Sequence, residues 1–240
     1  MTLALAVGMG LSVTASAAIV GSSHDFTDSI KGREGNAGAG TATSEAWNAR
    51  KEICRVCHVP HDHGRTYGLA GLQWNHKVST ATYTMYDSTW SPTLTGVQSA
   101  QPDGTSKQCL ACHDGTVAID TYDKYATAAI WFDDSAGGYD IDYVVSAFLD
   151  GANIDLRMTH PLSIQFPVGE IGTDFNDPAT QTWIGGRTVA STLDNGKVQC
   201  STCHDVHSTN IAPSGHMLRQ AQTVAQGGVP SGMCLTCHIK

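Results

Sequence analysis

Cys54-Arg-Val-Cys57-His58, Cys109-Leu-Ala-Cys112-His113, Cys200-Ser-Thr-Cys203-His204 and Cys234-Leu-Thr-Cys237-His238 are four copies of one pattern, C-x-x-C-H. Two cysteines three residues apart face the same way on a helical turn, so both thiols can reach along one edge of a flat ring. The histidine that follows can then reach the centre of that ring. This is the attachment pattern of c-type haem, with two thioether bonds to the vinyl groups and a proximal imidazole on the iron. All eight cysteines of the chain fall in these motifs. Zinc would explain the cysteine pairs but not a histidine after every pair. A redox dithiol would occur once, near a βαβ pattern, rather than four times in a loop-rich chain. The expectation is four covalently attached haem c groups. Cys54, Cys57, Cys109, Cys112, Cys200, Cys203, Cys234 and Cys237 are the attachment points, and His58, His113, His204 and His238 the proximal ligands.

The 240 residues suffice for one large or two modest domains. Charged residues are only 15% of the chain, and glycine alone accounts for 25 positions. Such a composition does not build a large aliphatic core, so buried porphyrin faces are expected to supply much of the apolar surface. The fold class that follows is mostly coil with short α-helices around four stacked c-type haems, with little β-structure. A net charge of −8 argues against nucleic acid or an anionic membrane surface as partner.

Leu3 to Val13 is apolar and short, and Ala15-Ser16-Ala17 has the small-residue form of a signal-peptidase site, although no Lys or Arg precedes Lys31. Residues 1–17 therefore read as a secretory signal peptide, too short to span a bilayer. Export agrees with C-x-x-C-H, because haem is attached to such motifs outside the cytoplasm. The remainder divides into an N-terminal arm and first haem pair (18–113), an insertion or linker (114–159) and a second haem pair (160–240). Short helices are expected over Glu45 to Cys57 and Met217 to Gln226, with short helices or hairpins in the insertion. No later apolar stretch has spanning length.

The sixth iron position decides the chemistry: a second histidine closes the site for electron transfer, whereas an open site admits substrate. Of the 11 histidines, four are proximal, and His24, His61, His63, His76, His160, His207 and His216 remain. Bis-histidine ligation of every iron is the economical reading. The first and third motifs continue as C-x-x-C-H-x-x-H, ending at His61 and His207, and each half carries an upstream histidine, His24 or His160. The repeat assigns His61 to the second haem, His207 to the fourth, His24 to the first and His160 to the third. His76, in Trp74-Asn75-His76, is a fifth candidate for four places. His63 and His216 read as surface or supporting residues.

With His24-Asp-Phe26, Cys54-x-x-Cys-His-x-Pro-His61, Trp74-Asn-His76, His160-Pro161, Cys200-x-x-Cys-His-Asp-x-His207 and the terminal Cys234-Leu-Thr-Cys-His, the chain resembles the multihaem c-type cytochromes. Among these it is most similar to the OmcE-type tetrahaem outer-surface cytochromes. The resemblance implies polymerisation into extracellular filaments, or nanowires, with a continuous haem chain. It also implies that one axial histidine, His24 by its place on the arm, can be supplied to an adjacent subunit. The expected function is long-range electron transport at the outer cell surface, with redox partner cytochromes and without enzymatic activity. A monomeric periplasmic shuttle shares every motif. A multihaem reductase is the third reading, weakened because candidate distal ligands exceed the irons.

Overall fold

The computed structural model describes residues 19, 24–26, 52–58, 74–117, 121–123, 149–150, 153–207 and 217–239. Over these the chain is mostly coil with a few short helices and little sheet. Strand β1 (Thr82–Thr84) pairs in parallel with β3 (Asn153–Asp155), and β3 pairs antiparallel with β2 (Leu149–Asp150). A second pair joins β4 (Ile164–Gln165) to β5 (Lys197–Val198). The helices are α1 (Gly104–His113), α2 (Cys200–Cys203) and α3 (Gly232–Cys237). Each helix ends on or within a C-x-x-C-H motif, so regular structure is concentrated where the cysteines are.

Apolar packing is likewise local. Tyr83, Leu110, Ile154 and Leu156 form one buried cluster, which seats α1 on the small sheet. Trp183, Val189 and Met233 form another, with Leu218, Cys203 and Cys237 packed against it. Both are small, and both touch a motif: Leu110 lies inside the second, and Cys203 and Cys237 belong to the third and fourth. Trp183 keeps its polar end satisfied by donating from Nε1 to Thr192 Oγ1 at 2.9 Å, as a buried indole requires.

A polar junction joins the two halves where α1 meets α2. Gln199 Nε2 donates to Asp103 Oδ1 at 2.7 Å, and the Cys200 N–H donates to Ser106 Oγ at 3.0 Å. Ser163 is fully buried there; its hydroxyl donates to Gln199 Oε1 and accepts from the Asp103 N–H, both at 3.0 Å. These groups could be buried only because each finds a partner. No helix among the described residues is long and apolar enough to cross a membrane.

Two local expectations are corrected. Met217 to Gln226 is not a helix: Met217 has φ of 53°, Leu218 bridges to His204, and only Val224–Gln226 forms a 3-10 turn. The apolar residues of that stretch pin the third motif instead of lining a helix face. Conversely α1 lay in a stretch without helical period, because its buried positions are Ser106, Gln108, Leu110 and Ala111, half of them polar. At the far end of the insertion, β2 and β3 form a short hairpin. The signal peptide, most of the arm and of the insertion, residues 45–51 of the lead into the first motif, and His61, His63 and His216 lie outside the described residues, and residues 53–57 of that lead form turns without helix.

Candidate functional site

Three of the four motifs adopt the same local structure. The histidine N–H donates back to the carbonyl of the first cysteine: His58 to Cys54 and His238 to Cys234 at 2.8 Å, His204 to Cys200 at 3.0 Å. That closes one helical turn and sets both cysteines on one side. The residue before the second cysteine points the other way and is buried: Val56 at 1%, Thr202 at 2% and Thr236 at 7% exposure. Burying that residue turns the cysteines outward from the peptide core. Cys54 and Cys234 are exposed, and their partners Cys57 and Cys237 are half-buried.

The chain then leaves the turn in extended conformation, with ψ of 145° at His204 and 141° at His238. A single β-bridge holds each histidine: His58 to Trp74, His204 to Leu218 and His238 to Phe175. The second motif differs. His113 is the last residue of α1, and Asp114 behind it is fully buried, accepting from the Tyr83 hydroxyl at 2.5 Å.

The motifs follow one another in space in their sequence order. Cys57 of the first lies close enough to Cys112 of the second to hold its thiol up, after burial itself. Cys109 of the second hydrogen-bonds Cys200 of the third, an interaction that raises Cys109 and lowers Cys200. Cys203 of the third adjoins Cys237 of the fourth. Burial pushes Cys57 and Cys237 up to about 11, and Cys203 up to about 12. These three thiols are the opposite of the stabilised thiolate that a redox dithiol needs.

The histidines form facing pairs. The ring centroids of His58 and His207 are 6.0 Å apart, those of His24 and His113 are 6.0 Å apart, and those of His160 and His238 are 6.4 Å apart. In each pair one member is a motif histidine and the other comes from elsewhere in the chain. These ring pairs differ from the repeat-based assignment for three residues. His207 faces the first motif rather than the fourth, His24 the second rather than the first, and His160 the fourth rather than the third. Two of these pairs stay within their own half, each upstream histidine meeting the later motif of that half, and only His207 crosses to the other half. His24 stands opposite His113 of its own chain.

The pairs fit the group the motifs imply. Two imidazoles bound to one metal through single nitrogens, each at about 2 Å, have centroids about 6.3 Å apart. Ligand imidazoles must also be neutral. Burial first, then the neighbouring His113, His204 and His207, pushes His24 down to about 4. Burial and His207 lower His58 in the same way. His160 Nδ1 lies 3.0 Å from the Pro161 carbonyl, which can only accept, so Nδ1 carries the proton and Nε2 is left to bind. His76, fully buried, has the same arrangement toward Lys77 O at 2.8 Å, with Nε2 3.6 Å from Cys112 Sγ.

Residues that support these histidines had little signature in the sequence. Asp205, directly after His204, accepts from the His207 N–H at 3.0 Å and pairs with Arg219, both side chains 9% exposed. Asp123 pairs with Arg55 of the first motif at 2.6 Å. Only the Asp in Cys-His-Asp-x-His207 was visible in a motif. No protein-family model matches the chain, and no curated protein is significantly similar to it.

Proposed function

We propose that the chain is a tetrahaem c-type cytochrome that carries electrons along four bis-histidine haems. The observation that carries this reading is the set of imidazole pairs, His58/His207, His24/His113 and His160/His238, at the separation two ligands of one iron require. When bound, haem supplies a one-electron iron couple whose potential depends on ligands, burial and hydrogen bonding. The chain's part is to attach, orient and space. The cysteine turns would hold one porphyrin edge each, and the three facing histidine pairs would ligate the iron from both sides, which would leave no position for substrate there. The junction of α1 with α2 keeps consecutive motifs in contact. His76 Nε2 lies at Cys112, and the partner of His204 is then drawn from His61, His63 and His216.

The resemblance to outer-surface filament cytochromes extends the proposal to an exported subunit of an extracellular polymer. His24 then serves its own subunit rather than its neighbour. The reading is tested by the intact mass of the exported protein together with negative-stain electron microscopy of native material. Four haem additions and filaments are expected. A mass equal to the bare chain would end the haem reading, and a monodisperse small monomer at high concentration would end the filament.

A further inference from the structure

We infer that Asn75, Arg219 and Asn176 are positioning residues that end the attachment turns of the first, third and fourth motifs and so set the direction of each proximal histidine. The inference rests on the haem reading above. Each residue directly follows the one that bridges the motif histidine: Trp74, Leu218 and Phe175. Each donates its backbone N–H to the carbonyl of the second cysteine, Asn75 to Cys57 at 2.9 Å, Arg219 to Cys203 and Asn176 to Cys237 at 2.8 Å. Each donates again from its side chain to the carbonyl of the residue after the first cysteine. Asn75 Nδ2 reaches Arg55 O at 2.5 Å, and Arg219 Nε reaches Ser201 O and Asn176 Nδ2 reaches Leu235 O at 3.0 Å. Three sites, two of them aromatic-Asn (Trp74-Asn75 and Phe175-Asn176) and the third Leu218-Arg219, thus make the same pair of bonds.

The need for them follows from helix ends. The last four carbonyls of a helix have no partner within it, and a helix of one turn is almost all end. The histidine N–H takes the first cysteine's carbonyl, and the positioning residue takes two more. With those satisfied the turn can stop at the second cysteine and the histidine can leave extended. The second motif is the contrast within the same molecule. There the equivalent carbonyl, that of Leu110, is taken by the Asp114 N–H at 3.0 Å as the helix continues, and His113 stays helical. The positioning residue therefore decides between two backbone conformations at the iron-binding histidine, which differ in where the imidazole plane points.

Asn176 is the residue to test. Asn75 is fully buried and also bonds Asp123, and Arg219 is tied to Asp205, whereas the Asn176 side chain is half-buried and donates to Leu235 O and, at 3.5 Å, to His238 O. Holoprotein carrying Asn176→Ala is examined by intact mass, by electron paramagnetic resonance of the oxidised state and by potentiometric titration. Four haems are expected, with one of the four low-spin signals shifted and the same haem displaced in potential. Loss of one haem alone would support the inference equally, because the turn must form for attachment. Asn176→Gln, which keeps the donor on a longer arm, is expected to move the same signal by less. Four haems with every signal at its native position in both variants would overturn the inference. A wild-type chain without haem would instead overturn the reading beneath it.

Discussion

The imidazole of His207 faces that of His58 at 6.0 Å, across an interplanar angle of 32°, although one belongs to the third motif and the other to the first. The iron they would share ties the two halves of the chain together. A histidine three residues beyond its own proximal ligand is too close to wrap onto the far side of that porphyrin, so it must serve a different one. His207 lies opposite the first motif, although α1 and α2 pack the second motif against the third.

Replacing His207 by Ala is therefore expected to disturb the haem on Cys54 and Cys57. Four haems remain attached, since the thioethers are untouched, but one iron becomes high-spin or binds exogenous imidazole. His207→Met is expected to raise the potential of the same haem, as methionine ligation does. Mapping the affected haem to the fourth motif would contradict the geometry.

His24→Ala carries the equivalent prediction for the second motif. Because His24 and His113 belong to one chain, one haem spectrum changes while polymerisation persists. Filament yield by electron microscopy checks it; loss of filaments together with one altered haem spectrum would mean that His24 ligates a haem of the adjacent subunit, and four intact spectra would mean that it ligates none.

Gly104 opens α1 with φ of +48°, and a Cβ there would run into the Asp194 carboxylate and the Gln199 amide. Gly104→Ala is expected to cost about 1–2 kcal/mol from the left-handed conformation alone, with the collision added. The denaturant midpoint should fall accordingly. The second and third motifs should lose their contact first, seen as a change in the coupling between two haems.

Asp103 holds the same junction. Burial pushes its carboxyl up, but hydrogen bonds from Lys197, Gln199 and Ser99 outweigh that and leave it below the ordinary carboxylate value of 3.8. A carboxyl lowered on folding stabilises the folded state above its unfolded value, and the contribution is lost as pH falls through the folded one. Stability should thus drop below about pH 4 in the wild type. Asp103→Asn should show a smaller drop over that window when denaturant midpoints are compared between pH 5 and 3.

The coarse fold of this molecule is legible in its composition. The coil-rich fold with few helices follows from a composition poor in charged and aliphatic periodicity, and it is what the described residues show. Which histidine faces which motif was not legible, because the order of motifs along the chain does not say which one a distant histidine meets: His24 and His160 meet the later motif of their own half, and His207 meets a motif of the other. The residues that join the halves are Ser106, Ser163, Gln199 and Asp103, polar side chains whose burial is apparent only once their partners are known. Arg219 and Asn176 escaped notice for a related reason. Their task is to donate to carbonyls of distant motifs, and any residue with a suitably placed N–H can do it.

A density map of the native holoprotein at a resolution that separates imidazole planes tests the central claim directly. The predicted result is four irons in a single series, with His58 and His207 on the first, His24 and His113 of one chain on the second, and His160 and His238 on the fourth. An iron flanked by any other histidine at these three motifs, or a motif carrying no haem, would contradict it.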